Sequence, residues 1–287
     1  RDVRIRGFQG ALSSAASIEL LSISDAQGEW FRAENVALNW NRAALLRGVV
    51  DVSTFEADRV IVSRAPDAGP AVPSAEATPF TIPDLPVSVQ IGEITVASVL
   101  LGAPLLGEDA EFSITGAATL ESGGADIQFG LARIDGQQAV ILLAARYDPA
   151  SRDLVIDLSA EEEAGGLAAT VLGIPGAPSL TLSVQGEGQI DAFTADIALA
   201  TDDTPRITGV VEILAPEETG GWDVQVDING DPTPLLTQET RAFFGTEIGL
   251  QARVTRDASG RTELPQFDLT ANTLSLTGSA VISNTGW

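Results

Sequence analysis

Hydrophobic and polar residues alternate with a period of two along most of this sequence, which is typical of strands that bury one face. The clearest runs are residues 180–184 and 222–228, where every second residue is large and apolar. In another run, Val36, Leu38 and Trp40 share one side. Turn-forming pairs separate the runs: Ser122-Gly123, Asp135-Gly136, Asp148-Pro149, Gly220-Gly221, Asn229-Gly230 and Ser259-Gly260. The pattern predicts an antiparallel meander of short strands.

Three short helices are expected to interrupt the strands. The first covers residues 41–47, with a cap at Asn41 and an end at Gly48. The second covers residues 167–172 and stops before Gly173 and Pro175. The third covers residues 234–244 and ends at Gly245. We interpret all three as plugs or lids that pack on the edge of a sheet.

A proline-rich stretch at residues 65–86 predicts the domain organisation, because proline disfavours central strands. It divides the chain into an N-terminal β module at 1–64, a linker or loop at 65–86, and repeated β-groove modules at 87–287. The alternative is a long loop within one continuous sheet. A weak repeat also occurs, with an aliphatic-Thr-Gly start and an aliphatic end, at residues 114–120, 207–213 and 276–282.

The composition narrows the possible functions. The chain has 287 residues, 44% of them hydrophobic, and a formal net charge of -24. We therefore expect a folded chain whose carboxylates lie on a solvent-exposed face. Residues 1–64 hold eight arginines and eight acidic residues, so the whole net charge falls in the rest. A surface this acidic argues against a nucleic-acid partner, whose phosphates need basic groups. The absence of an initiator Met leads us to expect a piece of a longer chain.

Residues that carry chemistry are missing from the sequence. There is no His and no Cys, which excludes a Ser-His-Asp arrangement at Ser13-Ser14 and removes the usual ligands of zinc. No loop has the spacing of a calcium-binding hand. The acidic run at residues 161–163 predicts a solvated segment before a helix. We therefore expect no catalytic residue, metal or cofactor and no enzymatic activity, with a carboxylate-dependent hydrolase as the alternative.

The apolar strand faces are the remaining candidate site. In a closed β-sandwich they would pack on each other, whereas in an open, elongated antiparallel β-gutter they would line a groove. A strand of about eight residues spans about 26 Å, longer than the roughly 15 Å of hydrocarbon in one bilayer leaflet. Alternation alone fits both architectures. The groove-lining candidates are Leu154, Ile156, Leu158, Leu180, Leu182, Val184, Ile197, Leu199, Trp222, Val224, Val226, Ile228, Leu274 and Leu276.

Several ordered motifs resemble TamB-like proteins. VRIRGFQG at 3–10, IELLSISDAQGEWFR at 18–32 and VALNWNRAALLRG at 36–48 are similar to the periplasmic start of that family. There, a D-x-x-G-x-W hairpin precedes a strand ending in Trp and a short helix reading A-L-L-x-G. Residues 167–175, 180–188, 231–236 and 243–245 resemble the middle modules of the family.

The resemblance implies a function as well as a fold. It implies the open β-gutter and not the closed sandwich. Such a gutter would span the periplasm of a Gram-negative bacterium and support phospholipid transport, outer-membrane protein assembly or both. Phospholipid acyl chains would be the guests. The outer-membrane protein TamA and the inner membrane would be reached through a C-terminal region and an N-terminal anchor helix that this sequence lacks. The alternative function is a scaffold or chaperone that offers sheet edges to client outer-membrane proteins.

Overall fold

Strands make up most of the computed structural model of the chain, which describes residues 2–11, 14–67, 87–215 and 220–282. The contacts divide the chain into two compact units, Arg1–Gln138 and Ala139–Trp287, called here the N-terminal and C-terminal units. The described residues form seventeen strands and a few short helices, so the predicted all-β class is confirmed.

The sheet of the N-terminal unit contains one parallel pair of strands. Its strands are β1 (Asp2–Arg6), β2 (Gln9–Ala11), β3 (Ala15–Asp25), β4 (Gly28–Trp40), β5 (Val49–Val62), β6 (Ser88–Leu101), β7 (Ala110–Glu121) and β8 (Gly124–Arg133). β1 and β2 both pair with β3, and each later strand pairs with the next. All pairs are antiparallel except β5–β6. The prediction of a purely antiparallel meander is wrong there. Parallel neighbours need a connection of a dozen residues or more, and β5 ends at Val62 whereas β6 begins at Ser88.

The predicted helix at 41–47 is confirmed as a 3-10 helix over Arg42–Arg47 that joins β4 to β5. Asn41 caps it, because its side chain accepts a hydrogen bond from the amide of Ala43 at 3.2 Å. Gly48 ends it at a φ of 73°, a left-handed conformation that favours glycine. Within the helix, Ala44 is fully buried. The sequence did not predict the other helix of this unit, α1 (Ala103–Leu106).

An ion pair fixes the end of the strand pair β3–β4 to the segment that follows β5. Both guanidinium nitrogens of Arg64 donate to the carboxylate of Asp25, at 2.8 and 2.5 Å. The amides of Asp67 and Gln27 donate to the same carboxylate, at 2.9 and 2.8 Å. The Arg64 guanidinium, together with these amides, holds the pKa of Asp25 well below its usual range.

The sheet of the C-terminal unit follows the order of the sequence. Its strands are β9 (Ala139–Asp148), β10 (Asp153–Glu162), β11 (Leu180–Gln189), β12 (Ala192–Thr201), β13 (Thr204–Leu214), β14 (Trp222–Gly230), β15 (Ile248–Arg256), β16 (Thr262–Thr270) and β17 (Ser275–Ile282). Each strand pairs antiparallel with the next. The described strands thus form an open sheet, which confirms the open architecture over the closed sandwich.

Tight turns set the register of hairpins in both units. Asp202 and Asp203 connect β12 to β13 with positive φ angles of 48° and 57°. Ser122 and Gly123 connect β7 to β8 in the same way, at 51° and 80°. Two positive φ values define the turn that matches the twist of a two-residue hairpin, and Asp tolerates them better than most residues.

The two helical connections of the C-terminal unit lie at the same end of its sheet. α2 (Leu167–Val171) joins β10 to β11, as predicted. Between β14 and β15, the predicted helix at 234–244 is split into a 3-10 turn, Thr233–Leu235, and α3 (Gln238–Phe244). The split follows from Leu236, whose extended backbone interrupts the helix. Gly245 ends α3, as predicted.

The compact units of the structure and the domains predicted from the sequence have different boundaries. The structure divides its compact units at 138/139, whereas the sequence predicted a division at 65–86. β5 and β6, which flank that stretch, pair with each other, and residues 68–86 lie outside the described part of the chain. The predicted modules therefore stay a prediction.

The sequence repeat coincides with a structural one in two of its three copies. Gly209 and Gly278 lie in the third strand after α2 and after α3, β13 and β17 respectively. Gly116 instead lies in β7, the first strand after α1.

Candidate functional site

The strand ladders of the C-terminal unit align apolar residues into rows that cross the whole sheet. Residues directly opposite each other in paired strands point to the same side. One such row contains, from β9 to β17, Leu143, Leu158, Val184, Ile197, Gly209, Ile228, Leu250, Leu269 and Leu276. The next row contains Ala145, Ile156, Gly186, Ala195, Val211, Val226, Ala252, Phe267 and Gly278. We call the side of the sheet that bears these rows the apolar face.

The ladders bring almost all of the predicted groove residues together on this face. Leu154, Ile156, Leu158, Leu180, Leu182, Val184, Ile197, Leu199, Trp222, Val224, Val226, Ile228 and Leu276 all lie on it. Leu274 is the exception, because it precedes β17 in the turn after β16, where its carbonyl accepts from the amide of Ala271 at 2.8 Å.

Burial differs between the two faces of the sheet. Along β12, the side chains on the apolar face are buried or half-buried, whereas Thr194, Asp196 and Ala198 on the opposite face are exposed. Among the described residues of the apolar face, however, only three apolar side chains are buried: those of Leu180, Phe193 and Ala195. Most side chains of the face are therefore only partly buried, unlike the fully buried side chains of a packed core.

Sequence analysis missed β9 and the part of the face that it contributes. Ile141, Leu143, Ala145 and Tyr147 lie on the apolar face, opposite residues of β10. The alternation is hidden in the sequence because apolar residues also occupy the other side of β9, where Leu142 is 54% exposed. Pairing with β10 is what assigns the residues of β9 to a face.

Phe193 and Gly186 make a close contact on the apolar face. A Cβ atom added to Gly186 would lie 2.3 Å from the Cζ atom of Phe193. The ring therefore covers the glycine, as aromatic residues do beside glycines in sheets. Phe193 was visible in the sequence as part of an alternating run, but nothing in the run indicated this contact.

One end of the apolar face is closed by the connection between β10 and β11. Ala169 of α2 and Ile174 pack on Leu180, and Ala177 and Leu235 lie against them. The carboxylate of Glu162 accepts hydrogen bonds from the amides of Ala168 and Ala169, at 2.9 to 3.2 Å, and so caps the start of α2. The acidic run at 161–163 thus precedes a helix as predicted, and its middle carboxylate has a structural role.

Across β12 to β14, the opposite face of the same sheet carries a cluster of acidic side chains. Asp196, Glu212 and Asp227 line an open cavity of about 690 Å³ on that face. Asp227 accepts hydrogen bonds from the side chains of Asn229 and Gln251, at 2.6 and 2.9 Å. Charged side chains on the apolar face, by contrast, are found only near the strand ends in the described residues, as with Glu162 and Arg256.

A second cluster of charges lies in the N-terminal unit, at the end of β8. Arg133 is buried and donates to Asp135 and Glu108, each at 2.8 Å. Burial raises the pKa of Asp135, but hydrogen bonds from Arg133 and from the amides of Glu111 and Gln137 outweigh it and hold that pKa below its usual value. The mutual pairing of these groups indicates a structural role.

The described residues contain no group of three or more acidic side chains arranged to hold a metal ion. In the same part of the chain, no helix has the length and apolar character that crossing a bilayer requires.

Comparisons of this chain with protein-family models, with curated proteins and with solved structures found no match.

Proposed function

We propose that the chain is a non-catalytic segment of a TamB-like protein, and that the apolar face of its C-terminal unit holds the acyl chains of phospholipids. The observation that carries this proposal is the continuity of the face. Its rows run from β9 to β17 and place no charged side chain between the strand ends.

The dimensions of the face suit a hydrocarbon guest. Neighbouring strands lie about 4.8 Å apart, so a row from β9 to β17 extends for roughly 38 Å. One bilayer leaflet contains about 15 Å of hydrocarbon, half of the usual core. An acyl chain could lie along a row or across several rows and remain in contact with aliphatic side chains throughout.

Half-buried aliphatic side chains give the guest its binding energy. Such contacts contribute about 25 cal/mol for each Å² of apolar surface removed from water. The face is built from Leu, Ile, Val and Ala with few aromatic residues, so it offers no hydrogen bonds that would select a headgroup. The proposal is therefore specific for hydrocarbon and not for one kind of lipid.

Native mass spectrometry of the gently purified chain tests the proposal directly. We expect bound masses that match phospholipids, and saturable binding of a fluorescent fatty acid. Leu182→Glu and Val224→Glu should each reduce that binding by about tenfold or more, because a carboxylate on the face would have to lose its hydration when the guest binds.

Matched controls are one residue away on the opposite face. Ser183→Glu and Gln225→Glu add the same side chain to the same strands but point away from the guest. They should leave binding unchanged. If Leu182→Glu and Val224→Glu unfold the protein instead of weakening binding, as circular dichroism would reveal, the face is a packed core and the proposal fails.

The wider setting is part of the same proposal. We place the segment in the periplasm of a Gram-negative bacterium, within a protein anchored in the inner membrane and working with TamA in phospholipid transport or outer-membrane protein assembly. The motifs at 3–10, 18–32 and 36–48 and the open sheet support it. Loss of outer-membrane integrity in cells whose full-length protein carries Leu182→Glu, but not Ser183→Glu, is the expected result.

A protein client is the second candidate. Strand β17 pairs with β16 along one side, and Leu276 and Val281 of β17 are exposed. An edge of this kind can accept a client strand. Crosslinks from β17 to unfolded outer-membrane proteins, in a preparation without bound lipid, would favour this function over lipid binding.

A further inference from the structure

We infer that the Arg42–Arg47 helix of the N-terminal unit is a docking point for the surface of an anionic phospholipid bilayer. The inference does not depend on the proposed function, because it concerns a different unit and needs no lipid on the apolar face. It begins with one measurement: Leu46 is 92% exposed, more than any other large apolar side chain in the described residues.

The exposure of Leu46 is built into the fold. The cap at Asn41 and the left-handed Gly48 fix both ends of the helix, and fully buried Ala44 fixes its underside. The amide of Asn41 donates to the carbonyl of Asp51 at 2.8 Å, and the amide of Ser88 donates to the carbonyl of Gly48 at 2.9 Å. The helix is therefore held as a protrusion.

Arginines flank the leucines of this protrusion. A 3-10 helix has three residues per turn, so Arg42 and Leu45 form one row, Ala43 and Leu46 the next, and Ala44 and Arg47 the third. Leu45 is 44% exposed, and both arginines are exposed. Leucines that can enter hydrocarbon beside cations that can contact lipid phosphates are the two elements of binding at a membrane surface.

The distribution of charge favours an anionic bilayer as the partner. The net charge of -24 would repel such a surface, but it lies entirely outside residues 1–64. The helix contains no acidic residue, and the nearest acid in sequence, Asp51, holds its carboxylate at the start of the helix, where the side-chain amide of Asn41 donates to it at 3.2 Å. Charges farther than the Debye length, about 8 Å at physiological salt, are largely screened. Residues 41–51 hold two arginines and one acidic residue, so the segment that presents the leucines carries a net positive charge.

Flotation of the full 287-residue chain with vesicles tests the inference. We expect it to float at physiological salt with vesicles of equal parts phosphatidylcholine and phosphatidylglycerol, and to float much less with pure phosphatidylcholine. Replacing Leu45 and Leu46 together with Ser should reduce the bound fraction about tenfold or more, since both contacts with hydrocarbon are lost. Failure of the unaltered chain to float with the anionic vesicles would overturn the inference.

The chain offers a matched control for the leucines. Val171 and Leu172 of α2 and its end are 63% and 71% exposed but have no arginine beside them. Replacing both with Ser should leave flotation unchanged. If the two double variants lose flotation alike, the binding is general adhesion of exposed apolar residues. If flotation survives the Leu45 and Leu46 change but is lost in Leu182→Glu, the apolar face binds the vesicle and the inference is wrong.

Charge is tested separately from apolar contact. Arg42→Gln with Arg47→Gln should abolish the preference for phosphatidylglycerol, whereas Arg59→Gln with Arg146→Gln, two exposed arginines elsewhere, changes the net charge equally and should preserve it. Because the chain has no Cys, Leu46→Cys can carry a single environment-sensitive fluorophore. Its emission should shift to the blue on vesicle addition, and the same label at Leu172→Cys should not respond. Equal responses at both positions would contradict the inference.

Discussion

Replacing Gly186 with Ala should destabilise the C-terminal unit through one contact. The added methyl group would lie 2.3 Å from the Cζ atom of Phe193 and 3.0 Å from the Cβ atom of Ala195. Phe193 is only 6% exposed, so its ring has little room to move. The φ of Gly186 is not positive, so Ala fits the backbone and the cost comes from overpacking. We expect Gly186→Ala to lower the free energy of unfolding by about 1–3 kcal/mol.

A second substitution separates this contact from other causes. Phe193→Leu alone should cost about 1–2 kcal/mol, because it removes part of a buried ring. In the double variant the methyl group occupies space that the ring has vacated, so the combined loss should be smaller than the sum by at least about 1 kcal/mol. Urea unfolding followed by hydrogen exchange in peptides from β11 and β12 measures the C-terminal unit by itself.

Gly278 provides the control for the Gly186→Ala prediction. It lies on the same face, in β17, and a Cβ atom added there would meet no atom within 4 Å. Gly278→Ala should therefore be neutral or stabilise by up to about 0.5 kcal/mol, through the lower backbone entropy of the unfolded chain. A neutral Gly186→Ala, or losses that add up fully in the double variant, would refute the register that places Phe193 over Gly186.

Two further predictions concern charged groups. Asp25→Asn should lower the melting temperature at pH 7. The pKa of Asp25 is lowered in the folded state, so the ionised carboxylate stabilises the fold at pH values above the ordinary Asp pKa of 3.8. This stabilisation is lost as the carboxylate is protonated in acid, so the difference in melting temperature between the variant and the unaltered chain should shrink below pH 3.8. A difference that stays constant down to pH 3 would show that the carboxylate does not titrate as the structure implies. Glu162→Gln should cost about 0.5–1 kcal/mol and increase hydrogen exchange at Ala168 and Ala169, because it weakens the cap of α2. Glu161→Gln, one residue earlier and exposed, should change neither quantity.

The sequence by itself determined the local elements of this protein. Strand alternation at 180–184 and 222–228, the cap at Asn41, and the stops at Gly48 and Gly245 depend on residues close in the chain, and the structure has them where they were predicted. The predicted turn at Ser122-Gly123 belongs with them, because two residues that tolerate positive φ are sufficient for a hairpin.

Only the tertiary structure decided how the elements combine. Alternation indicates that the side chains of Leu182 and Ser183 point to opposite sides of their strand, but it does not indicate whether a second sheet covers either side. The registers that align Leu158, Val184 and Ile197 across strands arise from long-range pairing, as does the assignment of β9 to the apolar face. The same holds for the parallel pair β5–β6 and for the Asp25–Arg64 contact, whose partners are 39 residues apart. Such pairings depend on the free energy of the whole sheet, which no short segment of sequence contains.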